Sequence, residues 1–236
     1  SHIDRNPEFR RTTLIVLTRG PARDILVKAQ GELESSLGNE IQGIKKWVQL
    51  SGYGFIPDIH QVLRDLSGAA ITTILPLVEL SLESMPPKVG AGTARGEKEQ
   101  AAAGTPAAQV EEPEIVRTLV LNGAGLFQQD KLVGWFDTDQ TRGWAWVRNK
   151  VTRAILELPC GEDNSKVSVS VFSSKAKIII VPQEDLLQAK VKLSVEGNLM
   201  EQQCSTDFTK KEAHEHLEAQ MAARITAEIN SALEQA

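Results

Sequence analysis

Between Lys210 and Glu234, Leu217, Met221, Ile225, Ile229 and Leu233 return at every fourth position. That is the apolar stripe of a long amphipathic helix. Thr209 and Glu212 have the spacing of a capping box at its start. Each i, i+4 step turns about 40° beyond a full circle, so the stripe winds slowly, as it must to lie across a sheet. Upstream the period shortens to two. Val167/Val169/Val171 and Val191/Leu193/Val195 predict two long antiparallel strands with one buried face. "EIVRTLVLNGAGLF" predicts a strand, "QQD" a turn, and Lys131–Phe136 the returning strand. "DTDQTRGWAWVRNKV" follows as a short helix, with Asp137 or Asp139 placed to cap it.

The first third of the chain has a mixed pattern. "RTTLIVLTRG" (Arg11–Gly20) is a β-branched apolar run ended by Gly-Pro, which predicts a buried strand. Ile25, Ala29 and Leu33, then Ile41, Ile44 and Val48, predict helix interrupted near Gly38–Asn39. "IPDIHQVLRDLSG" predicts another short helix, and "AAITTILPLVELSLE" a strand that Pro76 confines to an edge or a bulge. Residues 86–113 are rich in Pro, Gly, Ala, Thr and charge, with no aromatic residue, the composition of a flexible linker. The expected fold is therefore α+β in two small domains. Residues 1–85 form a middle domain, 86–113 a linker, and 114–236 a C-terminal domain. The last is expected to be a four-stranded, mainly antiparallel sheet against a short helix and a long terminal one.

Composition narrows the partners. A chain of 236 residues with net charge -5 is not basic enough for nucleic acid to be its main partner. No run approaches the ~20 apolar residues of a membrane-spanning helix, and no signal peptide is visible at the start. Ser1–His2 in place of an initiator Met resembles a tag or cloning remnant, so a fragment is expected. Cys160 and Cys204 lack zinc-type spacing; two unrelated half-buried thiols are favoured over one bridge.

Candidate chemistry is sparse. His214 and His216 bracket Glu215, but positions i and i+2 of a helix diverge by about 200°, so both cannot ligate one metal; a solvated face is expected. Asp137 and Asp139 have the composition of an acid–base pair but the position of helix-start carboxylates, and capping is preferred. A lone His60 has no convergent partners. No catalytic residues, cofactor or metal ligands are expected.

What remains is a cluster of aromatic rings. Three of the four tryptophans, Trp135, Trp144 and Trp146, lie close together beside Gly134, Arg142, Gly143 and Arg148. On a helix Trp144, Val147 and Val151 share one face, toward the core. Trp146 aligns instead with Arg142 and Lys150. Two readings stay open for it: an exposed Trp/Arg pair typical of interface hot spots, or a ring covered by a neighbouring domain or the long C-terminal helix.

"GAGLFQQDKLVGWFDTDQTRGWAWVRNKV", together with the terminal helix, resembles the Ger(x)C family, the C-subunit lipoproteins of bacterial spore nutrient germinant receptors. "DRNPEFR" and "ARDIL" are similar to the family's middle region. The resemblance implies a non-catalytic subunit, lipid-anchored in full-length form at the outer face of the spore inner membrane, this fragment itself being soluble. It also implies integral-membrane A and B subunits as partners in triggering germination, with membrane contact through an N-terminal lipid that this sequence lacks. Gly134, Trp135, Arg142, Gly143 and Trp146 become candidates for docking or structure. The alternative is an extracytoplasmic small-molecule module binding a nutrient near the tryptophans or between the domains.

Overall fold

A computed structural model describes residues 11–29, 37–68, 72–85, 114–161, 164–183 and 186–236. In chain order it contains α1 (Ala22–Lys28), α2 (Leu37–Ser51), α3 (Ile59–Ser67), β1 (Thr72–Met85) and β2 (Glu114–Gln128). There follow β3 (Lys131–Phe136), α4 (Thr138–Val147), β4 (Ala154–Pro159), β5 (Lys166–Gln183), β6 (Leu186–Gln202) and α5 (Lys211–Gln235). The expected linker 86–113 lies outside the described residues.

Helix and sheet are mixed as predicted, but the single four-stranded sheet is replaced by two three-stranded antiparallel sheets, ordered β1-β2-β3 and β4-β5-β6. Two features account for the difference. β1 pairs with β2 from Thr72↔Gln128 to Met85↔Glu114, so the first sheet takes a strand from either side of 86–113. β4, unassigned from sequence because the apolar Ile155 and Pro159 on its exposed face hide the pattern, alternates buried and exposed positions and pairs with β5. Pro76 sits on the edge strand at a register shift, both of the solutions open to a proline there. Arg11–Gly20 is not a ladder strand. It makes isolated bridges at Leu14↔Asp58 and Leu17↔Leu77, because the outer edge of β1 is met only where the bulge turns toward it.

Cys160 and Cys204 form a disulfide with Cα atoms 6.0 Å apart, which overturns the expectation of separate thiols. Register brings them together. Cys160 N–H donates to the carbonyl of Ser165 and Gln203 N–H to that of Lys166, so both cysteines flank the start of β5.

On α5, the capping box at its start does not form: Thr209 Oγ1 donates to Asp207 Oδ1 at 2.6 Å, and Lys210, the N-cap, makes no side-chain cap. The predicted stripe is buried at Leu217, Ile225 and Ile229, but Leu233 is exposed and Glu228 and Ala232 take the inward positions. This is the drift of an i, i+4 row carried through to the helix end. Three apolar clusters lie along the helix. Leu217 packs with Leu158 and Val167, Ile225 and Ile229 with Trp146 and Leu156, and Ala232 with Ile74 and Phe136. Phe55 and Trp144, stacked with centroids 5.3 Å apart, belong to the margins of the last two.

Candidate functional site

The entry to α4 is fixed before the tryptophans are reached. Gly123 has φ +86°, and a Cβ there would lie 2.1 Å from the carbonyl of Phe136, so only glycine lets β2 pass so close to the end of β3. Asp137 then caps the helix in a full capping box. Gln140 N–H donates to Asp137 Oδ1 at 2.7 Å, and Asp137 N–H donates to Gln140 Oε1 at 3.0 Å. Asp139 is not the cap; it accepts two bonds from Arg224 Nη2, each 2.9 Å.

One turn later α4 meets α5. A Cβ on Gly143 would stand 2.0 Å from the carbonyl oxygen of Glu228, so the two helices touch backbone to backbone at that residue. Arg142, Trp146 and Glu228 flank the contact and are 3 %, 0 % and 2 % exposed. Glu228 accepts from Arg142 Nε at 2.8 Å, from Arg142 Nη2, from Trp146 Nε1 at 3.1 Å and from Arg224 Nε at 2.8 Å. Asp139 lies 3.6 Å from Arg142. The outer face of the Arg142 guanidinium is covered by the Tyr53 ring, 4.8 Å away.

The buried Arg142–Glu228 pair is thus flanked by a half-exposed cation, Arg224, and a half-exposed anion, Asp139. Burial by itself would lower the Arg142 pKa. Hydrogen bonding and charge pairing with Glu228, aided by Tyr53 and Asp139, outweigh it, and the group stands above its ordinary value. Arg142 remains a permanent cation with its donors turned inward, unsuited to proton transfer.

Trp146 is therefore the covered ring of the two alternatives, lying beneath α5. A one-face reading of α4 fails because Thr141, Arg142, Gly143, Ala145 and Trp146 are all buried, which leaves the helix little solvent face. Gly134 and Trp135 lie apart from this knot. Both are partly buried on β3, opposite Leu126 and Gly125, and the Arg19 guanidinium covers the Trp135 ring at 4.9 Å. Gly125 leaves room for Leu17 and Leu132, whose Cδ1 atoms would lie 2.6 and 2.9 Å from an added Cβ.

His214 and His216 are exposed, and His214 pairs with Glu218 at 3.4 Å. Among the described residues no group of three His, Cys, Asp or Glu side chains is arranged to hold a metal. Sequence reasoning missed Glu228, Arg224 and Tyr53. One signal was present: Glu228 immediately precedes Ile229 and lies three residues after Ile225, so a charge interrupts the apolar face of α5.

The result is an α+β scaffold whose buried charged cluster joins two helices. Residues 122–236 match the family profile described as Spore germination B3/GerAC like, C-terminal, and residues 1–80 match that of the Spore germination protein N-terminal domain. The chain belongs to the Ger(x)C family of spore germination proteins. It is 23% identical over 201 residues to spore germination protein KC of Bacillus subtilis (strain 168), a match covering 83% of this chain and 44% of that protein. Its fold is similar to that in the crystal structure of the GerBC protein, with TM-score 0.56 and 16% identity over 98% of this chain and 56% of the other. The chain thus spans only about half the length of either relative. Among the described residues no helix is long and apolar enough to cross a membrane.

Proposed function

We propose that this chain is part of a non-catalytic lipoprotein subunit of a spore nutrient germinant receptor, acting beside integral-membrane A and B subunits at the outer face of the spore inner membrane. Family membership gives the setting. The observation that carries the non-catalytic reading is the internal closure of the knot. Glu228 accepts from Arg142 Nε, Arg142 Nη2 and Trp146 Nε1, so the buried charges at the family's sequence motif are paired with each other and not presented to a substrate. In this reading Arg142, Gly143 and Trp146 hold α4 on α5, and partner contacts are made by other surfaces.

The test is cross-linked co-purification of the full-length lipidated protein with its membrane subunits, with circular dichroism on every variant. Wild type is expected to recover the subunits. Trp146→Ser is expected to lose complex only in step with lost fold. Wild type that recovers neither subunit refutes the assembly, and a folded Trp146→Ser that fails to assemble returns the ring to a docking role.

The nutrient-binding alternative is favoured by one observation. An open groove of about 650 Å³ runs between α2 and β2, lined by Ile44, Trp47, Tyr53, Leu119 and Leu121, with Trp47 stacked on Tyr53 at 6.1 Å. Thermal-shift measurements with a panel of amino acids and sugars test it, since a ligand selective for the folded state raises Tm.

A further inference from the structure

The second sheet has two edges, and they are treated differently. β4 covers β5 only from Lys166 to Val171, so from Ser173 onward β5 and β6 run as a two-stranded ribbon. On the β5 side the edge is capped near its middle, at Ala176. Asn149, at φ +54°, mimics a neighbouring strand: its Nδ2 donates to the Ala176 carbonyl at 3.0 Å and its Oδ1 accepts from Ala176 N–H at 2.7 Å. Ser174 Oγ donates to the Val151 carbonyl beside it. On the other side, among the described residues, nothing caps the outer edge of β6 between Leu187 and Leu199. An edge this long is a template for another strand.

The faces of β6 say which strand fits. Leu187, Ala189, Val191, Leu193, Val195, Gly197 and Leu199 alternate onto the face turned toward α5, where an apolar groove of about 490 Å³ opens between strand and helix. Leu187 is 77 % exposed and Leu199 41 %. Gln188, Lys190, Lys192, Ser194, Glu196 and Asn198 occupy the opposite face.

The geometry points to a second copy of this chain as the occupant, joined antiparallel through β6 about a two-fold axis at Leu193. In that register the apolar face sets Leu193 against Leu193, Val191 against Val195, Ala189 against Gly197 and Leu187 against Leu199. The polar face sets Lys190 against Glu196 twice, Lys192 against Ser194 and Gln188 against Asn198. Neighbouring registers are poorer. An axis at Lys192 places that lysine against itself, and one at Ser194 places Leu187 against Glu201. A one-residue slip turns every apolar side chain against a polar face. Lys190 and Lys192 thus repel indiscriminate strand pairing while Glu196 admits the chain's own copy. The closed symmetry consumes both edges and stops growth at two, giving a continuous six-stranded sheet.

Sedimentation equilibrium on the full chain tests this, with circular dichroism to confirm the fold of each variant. Wild type is expected to be a dimer. Glu196→Lys is expected to weaken it about tenfold or more by placing lysines opposite each other at two symmetric sites. The exchange Lys190→Glu with Glu196→Lys restores it. Because both native cysteines are bonded to each other, an added cysteine is a clean reporter. Leu193→Cys is expected to cross-link on mild oxidation far faster than Ser194→Cys. A monomer at every concentration overturns the proposal and leaves the edge to another protein's strand or to lysine guarding alone. A dimer indifferent to Glu196→Lys, or one in which Ser194→Cys links as fast as Leu193→Cys, overturns the register.

Discussion

Replacing Glu228 by glutamine changes almost no volume but removes the one anion on which two arginines and an indole converge. In the wild type the carboxylate accepts four bonds, at 2.8 Å from Arg142 Nε, at 2.8 Å from Arg224 Nε, at 3.1 Å from Trp146 Nε1, and from Arg142 Nη2. The glutamine keeps one acceptor and turns an NH2 toward an arginine that can only donate. Arg142 is then a buried cation whose nearest anion is Asp139, at 3.6 Å and half-exposed, so little charge compensation survives. Breaking a buried ion pair from one side costs about 3–5 kcal/mol. The half-exposed Arg224 adds at most about 1 kcal/mol to that. For a chain of this size each kcal/mol is worth about 2–4 °C in Tm, so Glu228→Gln is expected to melt roughly 10 °C lower.

Thermal unfolding followed by circular dichroism, with urea titration at fixed temperature, measures the effect. The double variant Arg142→Met with Glu228→Leu separates charge from packing. It removes both buried charges, so it is expected to be more stable than Glu228→Gln, though below wild type because Trp146 Nε1 loses its acceptor at about 1–3 kcal/mol. A Glu228→Gln protein melting within about 2 °C of wild type would refute the reasoning, since less than about 1 kcal/mol would then rest on the knot.

Gly143→Ala is expected to destabilise by about 1–3 kcal/mol or more in urea titration, despite alanine's better helix propensity, because the new Cβ meets the Glu228 carbonyl at 2.0 Å. Cys160→Ser with Cys204→Ser opens a loop with a sequence separation of 44 and is expected to cost about 4 kcal/mol on the loop-entropy estimate, read as a lower Tm. Glu157 is held below the usual carboxylate range by a hydrogen bond from Lys166 and by its charge. With its folded pKa below the unfolded one, it stabilises above the ordinary carboxylate pKa and loses that contribution as pH falls through the depressed value. Wild type is therefore expected to lose slightly more stability than Glu157→Gln between neutral and acid pH; equal losses in urea midpoints would count against the pairing.

What the sequence made legible is what a single element can reveal about itself. The period of α5 was long enough to predict the helix, and the alternation in β5 and β6 was long enough to predict both strands. Asp137 and Gln140 stood in capping positions, and Pro76 announced its edge and bulge. Partnerships between distant segments were not legible. β4 did not stand out because Ile155 and Pro159, apolar residues on its exposed face, hide its alternation. The Cys160–Cys204 bond depends on the β4–β5–β6 register, and nothing in their spacing carries it. The cover over Trp146 depends on how far α5 has turned by residue 228, which the drift of the apolar row implies but the pattern alone does not place against α4. The family resemblance marked Gly134, Trp135, Arg142, Gly143 and Trp146 together, and the structure brings Arg142, Gly143 and Trp146 to Glu228 while Gly134 and Trp135 stand apart on β3.

That reason bears on how the two sheets are held. α5 touches three apolar clusters in turn: Leu217 beside the disulfide end of β4 and β5, Ile225 and Ile229 over the middle of the second sheet, and Ala232 against Ile74, Leu126 and Phe136 of the first. Apolar contacts of this kind tolerate small slides and rotations of a helix, because one aliphatic side chain substitutes readily for another. Glu228 does not tolerate them. Set between Ile229 and Ile225, it finds its donors at one rotation and one height; a helical turn in either direction would bury the charge against hydrocarbon. Gly143 enforces the same position sterically, through the backbone contact with the Glu228 carbonyl. A buried charge pair is a weak source of stability but a strong source of registry. Here the register it fixes is that of a helix in contact with both sheets, and Arg142, Gly143 and Trp146 lie buried at the point where it is fixed.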